Sequence, residues 1–158
     1  LKYKIYYMNT IEDFKIKNSN KVRFICLDLG SKRIGVSICD ERQSIATPFK
    51  TINKTNTNEL IDELKIIIKD NNIGGIIVGN PVNMDGSLGR SAQSVNDVTS
   101  NISKSIDLPV ILWDERLSTV GAFNLSSLLD VNVSKRVKTI DQNAAAFILQ
   151  GAIDFLNN

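Results

Sequence analysis

The chain has 158 residues, one domain's worth and enough to bury a proper core. Its residues are 42% hydrophobic and 23% charged, as in ordinary soluble globular proteins, and its net charge of +2 falls short of a dedicated nucleic-acid binder, so the location of positive charge matters more than its total. There is no histidine, which removes His-based serine and cysteine triads and His-containing zinc sites, and no run is long and apolar enough to span a bilayer.

Residues 1–21 are rich in Lys, Asn and Tyr and end in the polar run Lys17-Asn-Ser-Asn-Lys21. They lack an apolar core followed by small residues, so no secretory signal is read there and a cytoplasmic protein is expected. The segment is taken as an N-terminal extension without an assigned role, and residues 22–158 as a single domain. Phe24 to Leu29 is a nearly continuous apolar run, expected of a strand covered on both faces. Gly30 to Lys32 is turn chemistry, and Ile34 to Cys39 reads as a second strand paired back on the first. This hairpin sets Cys39 opposite about residue 24, a diagonal step from Cys26. Diagonal neighbours lie about 7–8 Å apart, too far for an unstrained disulfide, so two buried reduced thiols are expected.

Ser44 to Ile52 is a third strand candidate, and Pro48 within it argues for the sheet edge. Asn56-Thr-Asn-Glu59 is a helix start, followed by Leu60, Ile61, Leu64, Ile67 and Ile68 at helical spacing. Ile73 to Val78 is a short apolar strand, and Gly79 to Gly86 reads as loop, with Asn80, Asn83 and Asp85 on it. A second helix shows its apolar face at Leu88, Ala92, Val95, Val98, Ile102 and Ile106. Pro109 to Trp113 is another strand, with Trp113 expected in the core, and a third helix is expected over Ser118 to Leu129. Asp130 to Lys138 is polar and basic and is expected to be a mobile loop. Thr139-Ile-Asp-Gln142 resembles a capping box opening a last helix to about Phe155.

Strands followed by helical crossovers imply parallel pairing with right-handed connections. An antiparallel three-strand meander therefore leads into a parallel portion, with helices on both faces. The first, fourth and fifth strands then end on one edge of the sheet, where ligands of such folds sit.

Asp28 lies near the end of a strand that otherwise reads as buried, and a lone ionised carboxylate there needs a cation or a hydrogen-bond cage. With Glu115 and Asp141 it forms a candidate metal cluster at the shared edge. Oxygen ligands without histidine suit Mg²⁺ or Mn²⁺, as one or two ions. Each residue has a plainer reading: Asp28 as acceptor of the 30–32 turn, Asp141 as an acid in a helix's first turn, Glu115 as a surface partner of Arg116 or Lys32. Lys32, Arg33 and Arg116 are candidate phosphate contacts or solvated residues. Lys135, Arg136 and Lys138 either form a solvated loop or guide a polyanion.

Four motifs carry a family resemblance. They are Asp28-x-Gly-x-Lys-Arg-Ile-Gly-Val36, Val78-Gly-x-Pro-x-Asn-Met-Asp-Gly86, Trp113-Asp-Glu-Arg-Leu-Ser-Thr119, and Asp141-x-x-Ala-Ala145 with Ile148-Leu-Gln150. In this order they closely resemble the YqgF (RuvX) family over residues 22 to 156. The resemblance implies a ribonuclease H-like mixed five-stranded sheet of order 3-2-1-4-5, strand 2 antiparallel, with helices on both faces. It implies relation to the RuvC junction resolvases and a nuclease acting on the 5′ end of pre-16S rRNA. It puts Asp28, Glu115 and Asp141 in the catalytic, metal-binding positions, and makes Lys32, Arg33, Asn83, Arg90, Arg116, Lys135, Arg136 and Lys138 candidate nucleic-acid contacts. The chain departs from the family pattern at Asn80, usually apolar, and at Gly89-Arg-Ser-Ala92, where Arg90 is displaced by one position.

The expected partner is nucleic acid, pre-rRNA or branched DNA, with no membrane and a monomer or weak homodimer. Two competing readings are a Holliday junction resolvase-like DNA endonuclease and an RNA- or ribosome-binding factor with little catalysis. An actin-like ATPase would also carry Asp-x-Gly at its first hairpin, but it needs two such domains to enclose a nucleotide.

Overall fold

The computed structural model describes residues 14–15, 22–53, 55–80, 90–114 and 133–157, with side chains described except at 90–92 and 133–142. The elements are β1 (Arg23–Leu29), β2 (Arg33–Cys39), β3 (Ala46–Asn53), α1 (Thr57–Asp70), β4 (Ile73–Asn80), α2 (Arg90–Ser105), β5 (Val110–Asp114) and α3 (Val133–Asn157). One sheet holds all five strands in the order β3-β2-β1-β4-β5. β1 pairs antiparallel with β2 and parallel with β4, and β4 pairs parallel with β5. The expected meander and parallel portion are both present.

β1 reads as continuously apolar because helices cover both its faces. Ile25 and Leu27 join Ile34, Val36, Ile76, Val78 and Val110 in a core closed by Leu64 of α1 and Ile102 of α2. Phe24 and Cys26 face the other way, with Ile77, Ile111 and Trp113, against Leu149, Ala152 and Ile153 of α3. Trp113 is thus in the core, as expected. Phe14 of the N-terminal stretch is fully buried in this second core, its ring centroid 5.0 Å from that of Phe24. Each such fully buried side chain contributes about 1.5–3 kcal/mol relative to exposure.

β3 is the edge strand that Pro48 implied. Val36 pairs with Lys50 and Ser37 with Pro48, so Phe49 is the extra residue of a bulge. α1 starts where its cap predicts, the Asn56 side chain accepting from the Glu59 amide at 2.9 Å. Both cysteines are free and buried, and Cys39 Sγ accepts from the Phe24 amide at 3.0 Å. Burial pushes the Cys39 thiol above its ordinary value.

Most boundaries shift by a residue or two from the sequence reading, and two of the differences bear on the candidate site. β4 runs on to Asn80, so Gly79 and Asn80 belong to the strand rather than the loop. α3 begins at Val133, six residues before Thr139, so residues 133–138 are helix and not a mobile loop, and Thr139 is not a cap. The physical reason is that Val133, Val137, Ile140 and Ala144 already recur at helical spacing, with no Gly or Pro among them. Residues 130–132 and the helix expected over 118–129 lie outside the described residues. Among the described residues, no helix is long and apolar enough to cross a membrane.

Candidate active site

The three parallel strands end level. Asn80 pairs with Asp114 and Gly79 with Trp113, while Leu27 pairs with Val78, so Leu29, Asn80 and Asp114 close one edge together. Asp28 is one step inside that edge. Strand alternation puts it on the face of Phe24 and Cys26, the α3 face. Its partner on β2 is Gly35, and the parallel register sets Gly79 of β4 on its other side. Both flanking positions carry no side chain. The backbone around Asp28 is therefore open on either hand, walled beyond Gly79 by Trp113. Trp113 itself is locked by packing, its ring 5.7 Å from Phe155 in an edge arrangement.

The β1–β2 turn fixes the strand end. The Gly30 amide donates to the Asp28 carbonyl at 3.1 Å and to the Arg33 carbonyl at 3.0 Å. A Cβ on Gly30 would lie 2.5 Å from the Arg33 oxygen, so only glycine closes this turn without a shift. Lys32 is exposed at the turn and Arg33 opens β2, so both sit at the Asp28 edge.

α3 is brought to this edge by a buried bond. Ser37 Oγ donates to the Ala145 carbonyl at 2.8 Å. Further along, Gln150 accepts from the Ala46 amide and donates to the Ser44 carbonyl, and Asn157 donates to the Gln43 carbonyl. α3 thus runs in the direction of β2, its C-terminal half toward the 40–45 loop. From Ser37 back to Gly35 is about 6.8 Å of strand. From Ala145 back one turn to Asp141 is about 6 Å of helix. The two steps run the same way, so residue 141 lies on the Gly35 side of the Ser37–Ala145 bond, toward the end of the sheet that carries Asp28. Lys138, Arg136 and Lys135 follow at three, five and six residues further back, in the first two turns of α3.

Of the remaining candidates, Arg90 is the first residue of α2. Asn83, Glu115 and Arg116 lie outside the described residues; Asp114, just before Glu115, ends β5. Asn80, read from sequence as a loop residue near the site, stands on the opposite face from Asp28, in line with Val78. Among the described residues its buried Oδ1 has no hydrogen-bond partner. The sequence reading missed Gly35 and Gly79 as the flanks of Asp28, and Ser37 as the anchor of α3. Ser37 left a signal, being a polar residue inside an apolar strand; the hairpin register that sets Cys39 opposite about residue 24 carries Gly35 opposite Asp28, whereas the Gly79 pairing left none.

A family model described as "RuvX: Holliday junction resolvase" matches residues 22–155. A protein of Pelagibacter ubique (strain HTCC1062), named "Putative pre-16S rRNA nuclease", is 97% identical over 151 residues, covering 96% of this chain and 100% of the relative. Relatives of the same name from Sphingopyxis alaskensis and Chelativorans sp. are 43% and 47% identical, over 90% and 82% of this chain and 93% and 81% of theirs. Among solved structures, RuvC of T. thermophilus in complex with a Holliday junction substrate aligns with a TM-score of 0.53 at 9% identity, over 85% of this chain and 93% of that one. The yeast mitochondrial Holliday junction resolvase aligns with a TM-score of 0.51 at 12% identity, over 87% and 80%. At such identities the likeness is one of fold, and the mixed sheet is ribonuclease H-like.

Proposed function

This chain belongs to the RuvX family, and from that premise we propose that it is a divalent-metal-dependent nuclease that hydrolyses phosphodiester bonds of structured nucleic acid, with the 5′ end of pre-16S rRNA as its substrate in the cytoplasm. The observation that carries this reading is the setting of Asp28. A carboxylate one step inside the sheet edge, with glycine at the Gly35 and Gly79 positions on either hand, has no neighbouring strand side chain on its face to crowd a ligand, and the Ser37–Ala145 bond brings the half of α3 that carries residue 141 to the same end of the sheet.

The donor chemistry fits Mg²⁺ or Mn²⁺. A chain without histidine offers carboxylate oxygen here, which suits hard cations. Asp28, Glu115 and Asp141 are the residues that would hold the metal. When bound, one or two such ions lower the pKa of a water and stabilise the charge on the leaving oxygen. The rest falls to the chain. Asp28, fixed by the Gly30 turn, orients the centre. Lys32 and Arg33 at the turn, Arg90 at the start of α2, and Asn83 and Arg116 hold the phosphates on either side. Lys135, Arg136 and Lys138 draw the polyanion toward α3.

The test compares wild type with Asp28→Asn on labelled pre-16S RNA and on a four-way DNA junction, each with and without Mn²⁺. Metal-dependent cleavage of the RNA that Asp28→Asn abolishes, with folding and metal-free binding retained, is the expected result. Cleavage of the junction alone would favour a DNA endonuclease, and binding without cleavage a ribosome- or RNA-binding factor. A folded Asp28→Asn that cleaves like wild type would remove Asp28 from the site.

A further inference from the structure

On the face of the sheet away from α3, a cavity of about 570 Å³ opens beside the β1–β2 turn. Its floor is aliphatic. Leu29, Ile34 and Ile52 line up across β1, β2 and β3, and Leu60, Val95 and Val98 close it from α1 and α2. Its rim is polar, with hydroxyls at Ser31 and Ser94, while Thr51 and Asn53 border it with strand backbone. A volume of this size and an apolar bed with few polar groups are the marks of a ligand site.

The charge at the rim says what does not enter. Glu59 and Glu63 stand there with Lys50, and the Lys50 ammonium is already held by Glu63 at 2.6 Å. Two carboxylates against one ammonium repel a phosphate. The first turn of α1 offers no opening for an anion either, since Asn56 caps the Glu59 amide and the Glu59 carboxylate accepts from the Thr55 hydroxyl. An anion is thus disfavoured at this rim, and the aliphatic floor calls for a body with an apolar surface and hydrogen-bonding edges.

The cavity adjoins the candidate active site. Leu29, Gly30 and Ser31 line it, and Asp28 is the preceding residue on the opposite face of β1. The exposed Lys32 stands at the same turn. A nucleic-acid strand crossing this turn meets cationic residues on one side and a neutral, aliphatic hollow with an acidic rim on the other. Its phosphates belong with the former. The one part of a nucleotide that suits the latter is the base.

We propose that this cavity receives one unpaired base of the substrate strand, turned out of its stack, while a neighbouring phosphate lies at Asp28. The proposal rests on the nuclease reading and refines its substrate to a strand with an extrudable nucleotide beside the cleavage point. Turning out a base costs least where it is already unpaired, so the cavity selects single-stranded or mispaired nucleotides there. Among the described residues, the lining contains no aromatic side chain for stacking. Selection among bases falls to the rim hydroxyls of Ser31 and Ser94.

The experiment places 2-aminopurine at successive positions around the scissile phosphate and reads fluorescence on binding, with Asp28→Asn protein and no divalent metal. One position should brighten on binding. Ser94→Phe, which enters the mouth from an exposed helical position, should abolish that change at that position alone; Val98→Trp is the second plug should the first variant melt early. An abasic site at the responsive position should weaken wild-type binding by about tenfold, the burial of the base less the cost of turning it out, and the plugged variant by much less. No responsive position, or a response untouched by both plugs, overturns the proposal. So do shifts of the Val95 and Val98 methyl resonances with free nucleoside but not with the strand, which would mark a small-molecule site instead. The readout needs no cleavage, so a base response in a protein whose wild type never cleaves would overturn the nuclease reading and leave the cavity assignment standing.

Discussion

Ser37 and Ala145 are 108 positions apart in the chain, and the Ser37 hydroxyl donates to the Ala145 carbonyl at 2.8 Å in the buried seam between β2 and α3. Both residues lie one short step from the site, Ser37 two residues from Gly35 and Ala145 one helical turn from Asp141. Ser37→Ala removes the bond and should cost about 1 kcal/mol, a fall of about 2–4 °C in the midpoint of thermal unfolding for a chain of this size. Single-turnover cleavage well below that midpoint should fall further than the loss of folded protein explains, because α3 loses its register over Asp28. Calorimetry and cleavage on the same samples check this. Activity that merely follows the folded fraction would make the bond structural only.

The helical state of residues 133–138 changes what the basic residues should do. Positions 135 and 138 share one helix face, while position 136 lies about 100° round the axis from 135. Lys135→Ala and Lys138→Ala should therefore weaken binding additively on the same substrate. Each should flatten the dependence of log affinity on log salt by up to about 0.9 for every duplex phosphate no longer neutralised. Arg136→Ala should have a distinct effect, smaller or on a different substrate arm. Salt titrations of the three single variants test this; identical losses from all three would mean a diffuse field rather than a face.

Gly30 and Gly74 form a matched pair of probes. A Cβ at Gly30 would come within 2.5 Å of the Arg33 carbonyl, and one at Gly74 within 2.5 Å of a Val22 methyl. Alanine at either should destabilise by about 1–3 kcal/mol through crowding. Only the first lies in the turn after Asp28. Gly30→Ala should lower cleavage at temperatures where both variants are folded, and Gly74→Ala should not. Equal cleavage by the two would detach the turn from the chemistry.

Asp40 shapes the loop between β2 and β3. Its carboxylate accepts from the amides of Ser44 and Ile45, each at 2.8 Å, and from the Ser44 hydroxyl at 3.0 Å. The Ile45 amide above all holds its carboxyl below the ordinary value of 3.8. A depressed folded value means that the ionised group stabilises the fold above the unfolded value and loses this as pH falls through the folded one. Urea unfolding should show Asp40→Ala less stable than wild type at neutral pH, with the gap narrowing below about pH 3.8. A gap that does not change with pH would assign the loop's stability to other groups.

Much of this protein was legible in its residues because burial leaves a local trace. Apolar runs mark strands covered on two faces, Pro48 marks an edge, and Asn56 with Glu59 marks a helix start. Asp28 stood out because a carboxylate in an apolar strand conflicts with its surroundings. The start of α3 was present in the residues but outweighed: Val133, Val137 and Ile140 recur at helical spacing, yet the charges of Lys135, Arg136 and Lys138 among them read as loop although the backbone there is helical. The antiparallel register of β1 and β2 was legible, since the hairpin set Cys39 opposite about residue 24 and so Gly35 opposite Asp28. That Gly79 flanks Asp28 on the other side, and that Asn80 turns to the far face, follows from a pairing between distant segments, whose energy depends on the whole sheet being assembled. Local sequence therefore determined which residues are charged, capped or buried, and the tertiary structure alone decided which of them share a face. Strand pairing and the Ser37–Ala145 bond join positions far apart in the chain, and no local preference of either partner specifies the other.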